Sequence, residues 1–444
     1  MKRYEAYKNC NIPWIKQIPS HWMTKRAKFL YKKEQRPVRE EDSVVTCFRD
    51  GVVTLRKNRR TTGFTEAISE FGYQGIRKGD LVIHVMDAFA GAIGVSDSDG
   101  KGTPVYNVCT AYGDSNNYYY AYALREMARA GFIQSLYRGI RERSSDFRFD
   151  VFERQYLPVP PREEQDQIVR YLDWQVSKIN RLIAAKRKRI ELVKEHFSVR
   201  IANIVCNGLK PNTPMRETGI DYIGAIPSHW TVLQNKRLFK SMNRTFQGIP
   251  TVLSLSQKDG LIPYSEMTER SLHTSSYESW QLVCPNDLVL NRFKAHLGVF
   301  FASKYTGIVT FHYGVYEAKM PLVAKYYEVL YHTPEYCRVY AGQSRGMTVG
   351  LQNLSDTNFY STYTVYPPNE EQREIVTEIE QIEKQQSSII AGVNRQIEKL
   401  QEFRTRLISD VVTGQIDVRS IKVPDDEYIN NEITEEEFEE TEEN

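Results

Sequence analysis

Asp287, followed by Glu317 and Lys319, is the set of residue types in this chain best suited to catalysis. Two carboxylates and an ammonium can hold a divalent cation and activate water against a phosphodiester, the chemistry of a metal-dependent nuclease. No Pro-Asp dipeptide opens the set, however. Other signatures fail more plainly. The stretch from Gly94 to Lys101 looks like a phosphate-binding loop, but its glycines are one residue too far apart. Gly102 also stands where Ser or Thr should follow the lysine. There is no G-x-G-x-x-G and no H-E-x-x-H. An Asn-Pro-Pro-aromatic or Asp-Pro-Pro-aromatic box for amino-methyl transfer is missing too. The eight histidines lack metal-ligand spacing. The sequence therefore predicts no catalytic residue, no metal and no cofactor held by this chain.

What remains is surface chemistry suited to a polyanion. Arg56, Lys57, Asn58, Arg59 and Arg60 put four cations within five residues. Lys and Arg neutralise phosphates, while Arg and Asn can also read base edges in a major groove. Asn117 lies among amides and aromatics that run to Tyr120, and Arg141 and Arg143 follow. Further along, Arg244, Lys258, Arg292, Lys294 and Arg345 are the corresponding candidates for DNA contact. The bland reading of any one of them is a solvated surface charge.

The total charge of +3 hides a division. From Asp417 onward 12 acidic residues face two basic ones, Arg419 and Lys422, a net of −10. Residues 1–416 hold 57 basic and 44 acidic residues, a net of +13. A basic body raises the expectation of a nucleic-acid partner.

These residues sit on a duplicated frame. Ile18-Pro19-Ser20-His21-Trp22 recurs as Ile226-Pro227-Ser228-His229-Trp230. Gly79-Asp80-Leu81-Val82 is answered by Asn286-Asp287-Leu288-Val289, and Pro160-Pro161-Arg162-Glu163-Glu164-Gln165 by Pro367-Pro368-Asn369-Glu370-Glu371-Gln372. Gly91, Gly100, Tyr106 and Phe152 find partners in Gly298, Gly307, Tyr313 and Phe359. One offset of 207 or 208 runs through all of them, so the two halves share one fold. In the first copy Thr110 and Tyr112 stand where Glu317 and Lys319 stand in the second, which weakens the nuclease reading. The Trp of each Ile-Pro-Ser-His-Trp reads as a core anchor and the His as a structural hydrogen-bonder.

Each half opens with a mixed domain of short β-rich runs punctuated by glycines. Helices are predicted over Tyr119–Leu136 and Val323–Tyr340. After each proline pair an apolar stripe repeats in steps of three and four. It runs through Leu172, Val176, Ile179, Ile183 and Ile190 in the first copy, and Ile379, Ile382, Ile389, Val393 and Leu400 in the second. A period near 3.5 predicts two long helices packed along a seam. The simplest pairing is of the two copies as an antiparallel coiled coil, a partner protein's helix being the competing choice. Lys186-Arg187-Lys188-Arg189 reads as a solvated face that could lie along phosphates. The predicted class is α+β in tandem: a mixed domain at 1–159, a central helix at 160–210, a second mixed domain at 211–366, a distal helix at 367–416 and an acidic, disordered tail at 417–444.

Other classes drop out. No apolar run is long enough to span a membrane. The start Met1-Lys2-Arg3-Tyr4-Glu5 lacks the apolar core of a signal peptide. Six separated cysteines without a C-x-x-C pair suit reduced thiols in a cytoplasm.

The ordered, duplicated set of motifs, ending in Arg406–Arg419 after the distal helix, resembles the specificity subunit of a Type I restriction-modification system over about residues 11–419. That resemblance implies two target-recognition domains separated by antiparallel helices. It also implies double-stranded DNA as partner, one half of a split target per domain, and no catalytic centre in the subunit. Two methyltransferase (M) subunits and restriction (R) subunits would join it, and S-adenosylmethionine and ATP with Mg²⁺ would sit on those partners. A metal-dependent nuclease and a coiled-coil adaptor without DNA contact are the competing readings.

Overall fold

The computed structural model describes residues 2–59, 71–136, 146–246, 251–256, 260–267, 277, 280–344 and 353–424. Two compact units form. One joins Met1–Arg187 to Asn394–Asn444, and the other is Lys188–Val393. Each unit thus takes one domain and a stretch of both long helices.

In the first unit a four-stranded antiparallel sheet runs Tyr31–Lys33, Tyr106–Ala111, Leu81–His84, Ile93–Val95 in spatial order. Val108 stands opposite Val82, and both are fully buried. The helix Asn117–Arg129 covers the sheet. Tyr119, Tyr120, Ala123, Leu124 and Met127 recur at helical spacing and are buried. The Asn116 side chain caps its start by accepting from the Tyr118 and Tyr119 N–H groups. The helix is shorter than predicted. Gly131 (φ 73°) turns the chain, and a separate turn of helix follows at Phe132–Ser135.

The second unit repeats this frame. Its sheet runs Phe239–Ser241, Tyr313–Ala318, Leu288–Asn291, Phe300–Ala302. The predicted helix over Val323–Tyr340 is again split, into Ala324–Tyr331 and Pro334–Gln343. Pro334 lacks the N–H that a continuing helix needs and serves instead as a first-turn residue. One repeated position explains a sequence difference. Gly79 (φ 90°) and Asn286 (φ 67°) are both left-handed, and Gly and Asn are the residue types that tolerate this.

The central helix spans Arg162–Asn207 and the distal helix Asn369–Val412, 46 and 44 residues. At 1.5 Å per residue they are about 69 and 66 Å long. The two helices pack antiparallel. In the first unit Arg404 donates to Asn180 Oδ1 (2.7 Å) and Lys186 to Gln396 Oε1 (2.6 Å), so partner numbers fall as the central helix advances. In the second unit Arg200 pairs with Glu378 at 2.8 Å.

Leu172, Ile179, Ile183, Ile190, Ile379, Ile382 and Val393 are buried, and Val176 and Leu400 half-buried. Ile389 departs from the predicted seam, being 39% exposed. Its neighbours one turn away on the helix include Gln385, Gln386 and Gly392, which offer it little apolar cover.

The tail boundary also moves. Asp417–Val423, predicted to belong to a disordered tail, pack on the first unit. Val418 is fully buried, and Gln167 Nε2 donates to the carbonyls of Val418 (3.0 Å) and Ile421 (2.7 Å). The Asp417 N–H donates to Lys2 O (2.9 Å). The reason is local: Val418, Ile421 and Val423 place three aliphatic side chains within six residues. Residues 425–444 lie outside the described set.

Candidate nucleic-acid interface

The two repeated motifs of each half are partners. In the first unit the second glutamate of Pro-Pro-x-Glu-Glu-Gln, Glu164, is buried. Its Oε1 accepts from the Trp22 indole N–H (3.0 Å) and from the Tyr4 hydroxyl. His21 Nε2 lies 2.8 Å from Oε2. Burial together with this carboxylate pushes the Tyr4 hydroxyl pKa far up. In the second unit Glu371 Oε2 accepts from Trp230 (3.0 Å) and lies 2.8 Å from His229 Nε2.

The next residue anchors the covering helix. Gln165 Oε1 accepts the Asn116 N–H and Gln372 Oε1 the Val323 N–H, each at 2.9 Å. The far helix then closes each unit. Tyr119 Oη donates to Val412 O (3.2 Å), and Tyr326 Oη to Val205 O (2.8 Å). A domain is therefore held by the start of one long helix and the end of the other.

Immediately before Leu81–His84 and before Leu288–Asn291 a buried aspartate takes a bidentate arginine. Arg36 binds Asp80 at 2.5 and 3.2 Å, and Arg244 binds Asp287 at 2.5 and 3.3 Å. Asp80 and Asp287 also accept backbone N–H groups from Arg77 and Cys284. Paired this way, Arg244 is a frame residue rather than a free cation. The same contacts account for the carboxylates of the nuclease reading. Glu317 lies 3.0 Å from Arg244, and Lys319 donates to Lys236 O (2.8 Å). Among the described residues no group of three or more His, Cys, Asp or Glu is placed to hold a metal.

The first basic cluster is one turn of 3-10 helix, Arg56–Asn58, at the end of the hairpin Val45–Cys47 with Val53–Leu55. Arg56 donates to Thr46 Oγ1 (3.4 Å), and Asn58 to Thr54 Oγ1 (2.9 Å). Arg59 pairs with Asp50 (2.5 Å) and lies 5.2 Å above the Phe48 ring. Lys57 points to solvent with no ion-pair partner among the described residues. The Asn117 amide is used inside the protein: it accepts from Tyr31 Oη (2.9 Å) and donates to Gly79 O (2.7 Å). Asn117 thus ties helix to sheet.

In the second unit Arg292 pairs with Asp356 (2.8 Å), and its buried Nε has no hydrogen-bond partner among the described residues. Lys294 is exposed, again with no ion-pair partner among the described residues. Arg60, Arg141, Arg143, Lys258 and Arg345 lie outside the described residues. Sequence reasoning missed the Glu164 and Glu371 clasps. Their signal was available, because both partners belong to motifs repeated at one offset.

Two solved structures share this architecture of two mixed domains with long antiparallel helices. One, reported for the complex assembly and conformational transition of the type I R-M system, aligns with a TM-score of 0.64 at 14% identity. It covers 90% of this chain and 99% of that one. The other is the HsdS subunit from Thermoanaerobacter tengcongensis, with a TM-score of 0.50 at 15% identity, covering 90% and 98%. No protein-family model matches the sequence, and no curated protein matches it.

Proposed function

We propose that this chain is the specificity subunit of a Type I restriction-modification complex, reading a bipartite DNA target with one half-site per domain. One observation carries the reading above the shared fold. The same three internal clasps recur in both domains, those of Glu164 and Glu371, Gln165 and Gln372, Asp80 and Asp287. The exposed charges of the two domains nevertheless differ. A constant frame with diverged loops is what two readers of different sequences require.

On this reading the chain performs no chemistry of its own. It recruits two methyltransferase subunits, which carry S-adenosylmethionine, and restriction subunits, which carry ATP and Mg²⁺, in a cytoplasm. Phosphate contacts from residues such as Lys57 give affinity and register, and base contacts give specificity. The long helices serve as the spacer. Two major-groove half-sites about one turn, ~34 Å, apart would suit helices of this length.

The test is binding of the complex, formed with its methyltransferase partner, to duplex DNA over a range of salt. Specific binding whose affinity falls steeply with salt is expected. Absence of binding, or affinity independent of salt, would favour the coiled-coil adaptor.

A further inference from the structure

Both domains carry the same turn, and it holds an exposed apolar side chain near its start. In the first, the strand Leu81–His84 runs into a turn closed by left-handed Gly91 (φ 94°). In the second, Leu288–Asn291 runs into one closed by Gly298 (φ 71°). The bonding repeats. His84 N–H donates to Ala92 O and Asn291 N–H to Val299 O, both at 3.0 Å. Gly91 N–H donates to Ala88 O (3.1 Å) and Gly298 N–H to Ala295 O (3.0 Å). Ala88 and Ala295 are completely buried beneath the turns.

Two positions earlier stand Met86 and Phe293, 207 residues apart and both exposed, at 46% and 37%. Neither belongs to a core. A large apolar group thus stands outward at one register position in both copies.

Charged and aromatic side chains surround both turns. Each turn borders the segment that returns from the covering helix: Phe147 N–H donates to Val85 O (3.1 Å) and Leu354 N–H to Arg292 O (3.0 Å). Beside the first turn Arg49 pairs with Asp87 (3.2 Å), and Arg148 is largely exposed. Asp87 also lies 3.5 Å from His84 Nε2. At the second turn exposed Lys294 follows Phe293. The Phe293 ring stands 5.6 Å from His312, which lies 3.9 Å from exposed Phe311. The residue after the apolar side chain changes sign between copies, Asp87 against Lys294, while the backbone bonding does not.

We propose that Met86 and Phe293 are equivalent base-reading side chains, one per domain, each pressed against a thymine methyl in the major groove. Asp87 and Lys294 then take the polar edge of an adjacent pair. A carboxylate accepts from the cytosine amino group, and an ammonium donates to guanine O6 and N7. The inference rests on the DNA-reading function proposed above and assigns its contact points.

The experiment is mapping of methylated sites in cells carrying the complex with Met86→Ala, Phe293→Ala, Phe293→Leu or no substitution. Phe293→Ala is expected to lower preference about tenfold at one or two adjacent base pairs of one half-site. The other half-site keeps its preferences. Met86→Ala does the same in the opposite half, and Phe293→Leu, which keeps an apolar side chain, retains most of the preference. The salt dependence of binding to a fixed duplex stays unchanged, because no phosphate contact is lost. The assignment is overturned if both alanine variants keep every base preference, or lose affinity equally for all sequences. If the unsubstituted complex selects no bipartite motif, the DNA-reading function falls and the assignment with it.

Discussion

The buried indole of Trp22 donates to the carboxylate of Glu164, 142 residues further along the chain, at 3.0 Å. Trp230 and Glu371 repeat the bond at 3.0 Å. Glu164→Ala leaves a buried indole N–H and a tyrosine hydroxyl without their acceptor. It should cost about 1–3 kcal/mol of stability. Glu371→Ala should cost less, because that carboxylate is more exposed and serves no tyrosine. Urea unfolding of both variants checks the order.

Asp287→Ala strips Arg244 of its bidentate partner and should destabilise the second domain by roughly 3 kcal/mol, as removal of one member of a buried pair does. The lone chain with Mg²⁺ should leave DNA intact before and after the change. Cleavage by the lone chain that disappears with Glu317→Ala would instead establish the nuclease reading.

Deletion from Pro424 should leave thermal stability within about 0.5 kcal/mol, as for most surface changes. Deletion from Asp417 removes buried Val418 and the contacts of Gln167, and each buried valine of this kind is worth about 1.5–3 kcal/mol. Melting curves of the two truncations should therefore separate clearly.

The same docked segment has an expected pH dependence. The Arg419 guanidinium, hydrogen-bonded to Asp417, holds that carboxyl below the usual carboxylate range. Its folded value is lower than its unfolded one. The stabilisation is therefore complete above the unfolded value near pH 4 and is lost as pH falls through the folded value. Asp417→Asn should abolish this acid limb in a pH series of melting temperatures.

A seven-residue insertion in the central helix alone shifts its apolar stripe by a heptad against the distal helix. Altered half-site spacing or failed assembly is expected. An unchanged target with normal assembly would refute the spacer role of the helices.

Much of this was legible because the chain repeats itself. One offset exposed the domain and helix order, and the stripe through Leu172, Ile179 and Ile183 gave the seam. What stayed hidden depended on contacts distant in sequence. Nothing beside His21 suggested a partner, since Glu164 reaches it only through the fold. Asn117 looked like a base reader because its type permits that role, whereas both its amide atoms are engaged by Tyr31 and Gly79. Arg244 looked free for the same reason. Asp417–Val423 looked like tail because charge was averaged over the segment, although three aliphatic residues near its start have a surface to bury. Met86 escaped notice because exposure cannot be read from residue type.

The most direct measurement of the central claim is a map of methylated sites in DNA from cells carrying this chain and its partners, repeated after residues 211–366 are replaced by the matching region of a relative. The expected result is a split motif with a fixed gap, of which one half changes and the other half and the gap persist. A single continuous motif, or a replacement that alters both halves, would contradict it.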